Sequence, residues 1–101
     1  MLKVISVQKG VIPKKALVGA DILEIWADKL NKKQSSEIVK KAGELKKPLI
    51  YKVTAKTFSK LNKDVLLASK YIDVDFECDK NLIKKIRKEY KKLEIIISHH
   101  N

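Results

Sequence analysis

Several residue types are scarce in this sequence, and each scarcity excludes a class of protein. The single cysteine, Cys78, cannot form an intrachain disulfide framework and fits a reducing compartment. The three glycines are isolated from one another, so there is no glycine-rich phosphate loop. No apolar run approaches the roughly 20 residues of a membrane span, and no signal peptide opens the chain. We therefore expect a cytoplasmic protein without a membrane segment.

Arginine is also nearly absent, which bears on the strong positive charge. Lysine and arginine total 23 against 12 acidic residues, a net charge of +11, and the only arginine is Arg87. Arginine is the residue that reads phosphate and guanine through paired hydrogen bonds. Aromatic residues that could stack on bases make up 6% of the chain. The lysines are spread along the chain, so lysine-coated solvent faces explain the charge better, and a basic nucleic-acid-binding α/β protein stays as an alternative.

The chain is long enough for one small core. It has 101 residues, 45% of them apolar, with no linker, clear repeat or break in composition, so we predict a single domain over residues 1–101. Apolar and β-branched runs predict five strands. These are Leu2–Val7, Ile22–Ala27, Leu49–Thr54, Tyr71–Phe76 and Leu93–Ser98.

Helical patterns lie between the strands. Ser35 or Ser36 can cap a helix from about residue 37 to 47, which Pro48 then stops, and Asp79 can cap one from about 80 to 92. A further pattern connects the third and fourth strands, and residues 13–18 allow only a short first helix. The apolar positions of the three longer patterns are Ile38, Ala42 and Leu45, then Phe58, Leu61, Val65 and Ala68, then Leu82, Ile83, Ile86 and Tyr90.

Alternation of strands and helices predicts an α/β fold with a parallel sheet. Two architectures fit about five strands and three to four helices. A doubly wound open sheet can close its core at this length. A segment of a (β/α)8 barrel leaves one face and two edges uncovered, because a complete barrel needs about 250 residues. A barrel segment would therefore need a partner.

Polar residues recur on single faces of several predicted strands, near their carboxyl ends. Strand alternation places carboxylates of the fourth strand on one face, and buried carboxylates need partners. This pattern indicates a site at the mouth of a parallel sheet, although carboxylates paired with lysines in solvent would also produce it. His99 and His100 with Cys78 match no metal-ligand spacing, so no metal site is predicted. The shared-face groups are Glu24, Trp26 and Asp28; Lys52 and Thr54; Asp73, Asp75 and Glu77; and Ser98 and His100.

Five segments, in order, resemble the strands of one known family. Gly19–Asp28 resembles the second-strand signature G-A-D-x-x-E-x-R-x-D of type I 3-dehydroquinate dehydratase. Ile95–Asn101 resembles the fifth strand of that family, which ends S-x-H-(D/N)-F, and Leu2–Val7 resembles the first. Pro48–Tyr51 and Tyr71–Asp75 resemble its third and fourth strands.

The resemblance implies a (β/α)8 barrel and a cytosolic lyase of the shikimate pathway that dehydrates 3-dehydroquinate to 3-dehydroshikimate without an external cofactor. In that family a lysine forms an imine with the substrate ketone and a histidine relays protons. By the motif, His100 is the proton-transfer residue. The resemblance also implies that Glu24 contacts substrate hydroxyls, that Asp28 supports the site, and that Ser6 fills a small polar position.

The sequence departs from the family at several positions. The family has arginines where this chain has Trp26 and Thr54, so the substrate-facing positions here are Ser6, Glu24, Trp26, Asp28 and Thr54. Its imine-forming lysine lies on a sixth strand, which these residues do not include. We therefore expect a shortened homologue that is not competent alone and either self-associates or pairs with a C-terminal fragment. A non-catalytic assembly or binding module on the same scaffold is the alternative.

Overall fold

The computed structural model describes residues 3–7, 12, 19–54, 61–75 and 80–98. All five predicted strands are present, each within two residues of its predicted bounds. The predicted first helix, together with Phe58, Glu77, Cys78, Asp79, His99 and His100, lies outside the described residues. The strands are β1 (Val4–Val7), β2 (Ile22–Trp26), β3 (Leu49–Val53), β4 (Tyr71–Asp75) and β5 (Glu94–Ser98).

The five strands form one sheet in the order in which they occur in the chain. Each strand pairs with the next in parallel, from β1 through β5. A doubly wound sheet reverses direction at a switch point within the strand order, and this sheet has no such point. The α/β fold with parallel βαβ units is thus confirmed, and the sheet is that of five successive strands of a (β/α)8 barrel.

Three helices connect the strands in the described part of the chain: α1 (Lys32–Glu44), α2 (Lys63–Ala68) and α3 (Lys80–Glu89). The predicted start of α1 was wrong by about one turn. Asn31 caps the helix, because its Oδ1 accepts from the Gln34 amide at 2.8 Å while Gln34 Oε1 accepts from the Asn31 amide at 3.0 Å. Ser35 is buried within the helix.

The predicted ends of these helices also need correction. α1 ends before Lys47, because Lys46 adopts a left-handed conformation with φ of 56° and turns the chain ahead of Pro48. The predicted pattern between β3 and β4 gives a helix of six residues, which Asn62 caps. α3 ends at Glu89, three residues earlier than predicted, and a turn then leads into β5.

Replacing Asn31 tests the assignment of this cap. Asn31→Ala should lower the free energy of unfolding by about 1 kcal/mol, because it removes the side-chain oxygen that accepts from the Gln34 amide. Ser36→Ala serves as the control, since Ser36 is exposed within the helix and alanine favours a helix. Urea denaturation followed by circular dichroism measures both variants. If Ser36→Ala lost stability and Asn31→Ala did not, the helix would instead begin near residue 37, as the sequence predicted.

The helices cover one face of the sheet. Alternate strand residues point to that face and form a single buried cluster with residues from all three helices. Examples are Leu23, Tyr51 and Ile72 from the strands, packed with Ile38 and Val65 from the helices. The interleaved strand residues point to the other face, which carries the polar groups described below.

The edge strands and the helices have two further properties. β1 and β5 form the edges of the sheet, and Val4, Ile96 and Ile97 are exposed large apolar residues on these two strands. In the described part of the chain, no helix has the length and apolar character that crossing a bilayer requires.

Candidate active site

Polar side chains lie in two neighbouring rows on the sheet face opposite the helices. Parallel pairing places Ser6 beside Glu24 in one row. In the next row it places Trp26 beside Lys52 and Lys52 beside Asp73. Side chains of paired residues point to the same face, so these five residues form a continuous strip across four strands. We call this strip the polar face.

Glu24 is held in place by two donors. The Ser6 hydroxyl donates to Glu24 Oε1 at 2.9 Å, and the Trp26 indole Nε1–H donates to the same oxygen at 2.6 Å. Both donors come from a rigid sheet, one from the adjacent strand and one from two residues along β2. Hydrogen bonds to a carboxylate are among the stronger ones in proteins, so this side chain has a defined orientation. Glu24 is partly exposed. Both hydrogen bonds end on Oε1, so within the described residues Oε2 is the oxygen that can accept from a ligand.

Lys52 and Asp73 form an ion pair beside this carboxylate. Lys52 Nζ lies 3.9 Å from Asp73 Oδ2, and the two side chains are 15% and 13% exposed. The same ammonium lies 5.1 Å from the centroid of the Trp26 ring, within the range of a cation–π interaction. Lys52 and Asp73 each have further interactions, so neither depends on this contact alone. The pair places a cation and an anion next to the hydrogen-bonded Glu24.

The structure brings together some of the predicted site residues and separates others. Ser6, Glu24 and Trp26 are joined directly by hydrogen bonds. Thr54 is partly buried immediately after β3 and has polar or electrostatic partners of its own. Asp28 is exposed in the turn that follows Trp26, so its predicted place on the same strand face is wrong, because β2 ends two residues earlier. His100 lies outside the described residues.

The pairing of Lys52 with Asp73 was not predicted. The sequence placed each residue on one face of its own strand, but it did not show which positions of neighbouring strands lie opposite one another. A register prediction from the buried positions would have found the pair, since Tyr51 pairs with Ile72 and Val53 with Val74 on either side of it. The contact of Lys52 with Trp26 follows from the register between β2 and β3 in the same way.

The sequence matches a known protein-family model. The type I 3-dehydroquinase family model matches residues 7–101, which is all but the first six residues. The chain belongs to the type I 3-dehydroquinase family. No curated protein and no solved structure gives a significant match. Membership confirms the predicted relationship and indicates a lyase of the dehydratase type in the shikimate pathway.

Family membership also explains why the polar face is polar. In a 3-dehydroquinase barrel the face opposite the helices is the barrel interior, and the carboxyl ends of its strands form the mouth where the chemistry of such barrels occurs. Trp26 is the last residue of β2, and Lys52 is the last but one of β3. These side chains are therefore near the carboxyl ends of their strands.

Proposed function

We propose that the polar face is the part of a 3-dehydroquinate dehydratase site that binds the hydroxyl groups and the carboxylate of 3-dehydroquinate. The observation that carries this proposal is the orientation of Glu24 by Ser6 and Trp26 at the end of a barrel strand. A fixed carboxylate accepts hydrogen bonds from substrate hydroxyls without first having to be ordered. His100, at the end of the family's fifth-strand motif, is the proposed proton-transfer residue.

Lys52 is the proposed contact for the substrate carboxylate. The family has arginines at the positions of Trp26 and Thr54, and neither residue here carries a charge. Lys52 lies between these positions and extends its ammonium over the Trp26 ring. A positive charge that Trp26 cannot provide is thus supplied from the neighbouring strand. Asp73 balances this charge until an anionic ligand arrives.

Turnover, in this proposal, needs a second lysine from polypeptide beyond these residues. Its free amine would attack the substrate ketone and expel water to form an iminium ion, which makes the neighbouring C–H acidic. His100 would take that proton and return it to the departing hydroxyl group as water forms. Lys52 does not fill this role in the proposal, because its side chain already contacts Asp73 and the Trp26 ring and is the proposed contact for the substrate carboxylate. Loss of the imine would cost many powers of ten in rate.

A second candidate is a non-catalytic assembly module on the same scaffold. The exposure of Ile96 and Ile97 on the edge strand β5 favours it, because an uncovered apolar edge strand can form hydrogen bonds and apolar contacts with another chain. In both candidates we place the protein in the cytoplasm, which suits its single cysteine. Binding of the substrate separates the two, since an assembly module needs no site for it.

Trp26 provides the measurement, because it is the only tryptophan and lies within the site. Titration with 3-dehydroquinate should change its fluorescence in a saturable way. Glu24→Ala should weaken this binding by about tenfold or more, since a hydrogen bond to a charged group contributes roughly 1.5–3 kcal/mol. Because Glu24→Ala also alters the environment of Trp26, calorimetry provides the affinity independently of fluorescence.

Glu37→Ala is the matched control, because Glu37 is exposed on α1 and remote from the polar face. It should bind like the parent chain. Absence of saturable binding, or equal losses in the two variants, would contradict the proposed site and favour the assembly module. Formation of the conjugated product by this chain alone, abolished in His100→Ala, would contradict the requirement for a second lysine.

A further inference from the structure

A cavity of about 520 Å³ lies on the side of the sheet opposite the polar face. It is lined by the first turns of α1 and α2 and by Tyr51, which points from β3 into the helix-packed core. Lys52, the next residue along β3, points the other way. The cavity is therefore separated from the proposed active site by the sheet itself, and its properties do not depend on that proposal.

Ser35 brings a hydroxyl to this cavity. Its side chain lines the cavity and the residue is 3% exposed, which makes it the one buried polar residue in the described core. A hydroxyl both donates and accepts hydrogen bonds, so Ser35 can donate to a ligand in the cavity.

Asn62 and Tyr51 provide two further donors. Asn62 Oδ1 caps α2 by accepting from the Asp64 and Val65 amides, while Asn62 Nδ2 is buried without a partner in the described structure. The Tyr51 hydroxyl accepts from the Asn62 amide at 3.3 Å, which leaves its own proton to donate. Burial raises the pKa of Tyr51 more than this hydrogen bond lowers it, so the hydroxyl stays protonated at neutral pH.

The charges around the cavity favour an anion. Lys32 and Lys63 line it, as does one carboxylate, that of Asp64. The amides of the first turn of α1 add the partial positive charge of a helix N-terminus, and α1 has 13 residues. Among the described lining residues, four neutral donors, two ammonium groups and one carboxylate make a lining that is rich in donors; the neutral donors are the side chains of Asn31, Ser35, Tyr51 and Asn62. Ala27, Leu30 and Leu61 give it an apolar part as well.

We propose that this cavity binds a small organic oxyanion, a phosphate or carboxylate group whose oxygens accept from Ser35, Asn62 and Tyr51. The apolar part of the lining holds the carbon skeleton of the ligand, and Lys32 and Lys63 balance its charge. The buried amide Nδ2 of Asn62 carries the proposal, because it lacks a partner in the described structure and its residue lines the same cavity as the buried Ser35.

Inorganic phosphate and acetate, titrated separately at constant ionic strength, test the proposal by calorimetry and by amide chemical shifts. We expect saturable binding of at least one of them, with shifts at the Asn62 side-chain amide and the first turn of α1. Tighter binding of phosphate would indicate that the ligand of the cavity carries a phosphate group. Tighter binding of acetate would indicate that it carries a carboxylate group. Absence of saturable binding of both would overturn the proposal.

Two substitutions separate binding from folding. Asn62→Asp keeps the cap of α2, because a carboxylate accepts from the same two amides, but it replaces the donor with a negative charge. Anion affinity should fall by about tenfold or more while the midpoint of thermal unfolding stays within a few degrees. Ser35→Ala should weaken binding by about three- to tenfold without destabilising the helix. Unchanged affinity in both variants would overturn the proposal.

Lys33 is the matched control for charge. Lys32→Gln should weaken anion binding several-fold, whereas Lys33→Gln should not, since Lys33 is on the same helical turn but does not line the cavity. Asp64→Asn should strengthen binding, because it removes the carboxylate from the lining. Equal losses in Lys32→Gln and Lys33→Gln would show general attraction to a basic protein and would contradict a built site.

Discussion

Asp73→Ala should lower the free energy of unfolding by about 2–4 kcal/mol, because it removes the carboxylate from a largely buried ion pair. The two side chains are 15% and 13% exposed, so water replaces the lost carboxylate poorly. The cation–π contact with Trp26 remains and limits the loss. Urea denaturation, followed by circular dichroism because Trp26 lies at the site of change, measures the effect.

Two control variants show whether the loss in Asp73→Ala comes from a buried ion pair. Lys41→Ala breaks the exposed pair between Lys41 and Glu44, whose side chains are each 55% exposed, and should change stability by at most about 1 kcal/mol. The double variant Lys52→Met, Asp73→Leu should recover most of the loss, since it removes both charges of the pair together. If Asp73→Ala were as mild as Lys41→Ala, the pair would be solvated and would not be a fixed part of the polar face.

The double variant also connects stability with the proposed function. It keeps the fold but removes the cation proposed to contact the substrate carboxylate. We therefore expect it to be about as stable as the parent chain and to bind 3-dehydroquinate more weakly. A double variant that binds as tightly as the parent would exclude Lys52 from the site and leave the role of Glu24 untouched.

Ile72→Ala should be the most damaging single change to the core, with a loss of about 2–5 kcal/mol. Ile72 is fully buried in β4, where it pairs with Tyr51 on one side and Ile95 on the other. Removal of its side chain leaves a cavity between the sheet and the helices that the parallel strands cannot close without breaking their register. Thermal and urea unfolding measure the loss.

Ile97→Ala is a matched control for this change. Ile97 has the same side chain and points to the same face of the sheet, since Val74 pairs with it, but it is 57% exposed on the edge strand β5. Its replacement should cost less than about 1 kcal/mol, because little apolar surface returns to water. Comparable losses at Ile72 and Ile97 would mean that β5 is covered in solution by another chain.

Strand positions could be predicted because they depend on local patterns. Apolar residues alternate in β4 and occupy every position of β3 except Lys52, so each strand was predicted within a residue or two. The start of α1 was harder. The capping box of Asn31 and Gln34 is visible in the sequence, but the first turn after it is polar, and the apolar periodicity that marks a helix begins only at Ile38.

The candidate site could be predicted only as separate residues. Ser6, Glu24 and Trp26 came from a family signature, and their hydrogen bonds are geometric facts that no spacing encodes. Lys52 and Asp73 are 21 positions apart, and only the register of β3 against β4 brings them together. Asp28 shows the converse error, because alternation along a strand predicts a face only as far as the strand extends.

The strand order has a consequence for how the protein is made. Each strand pairs with the one synthesised immediately before it, so a strand that leaves the ribosome finds its neighbour already in place. No strand has to wait for a distant partner or be inserted between two others. Assembly can thus follow translation one strand and helix at a time, and at every stage the growing edge is the newest strand.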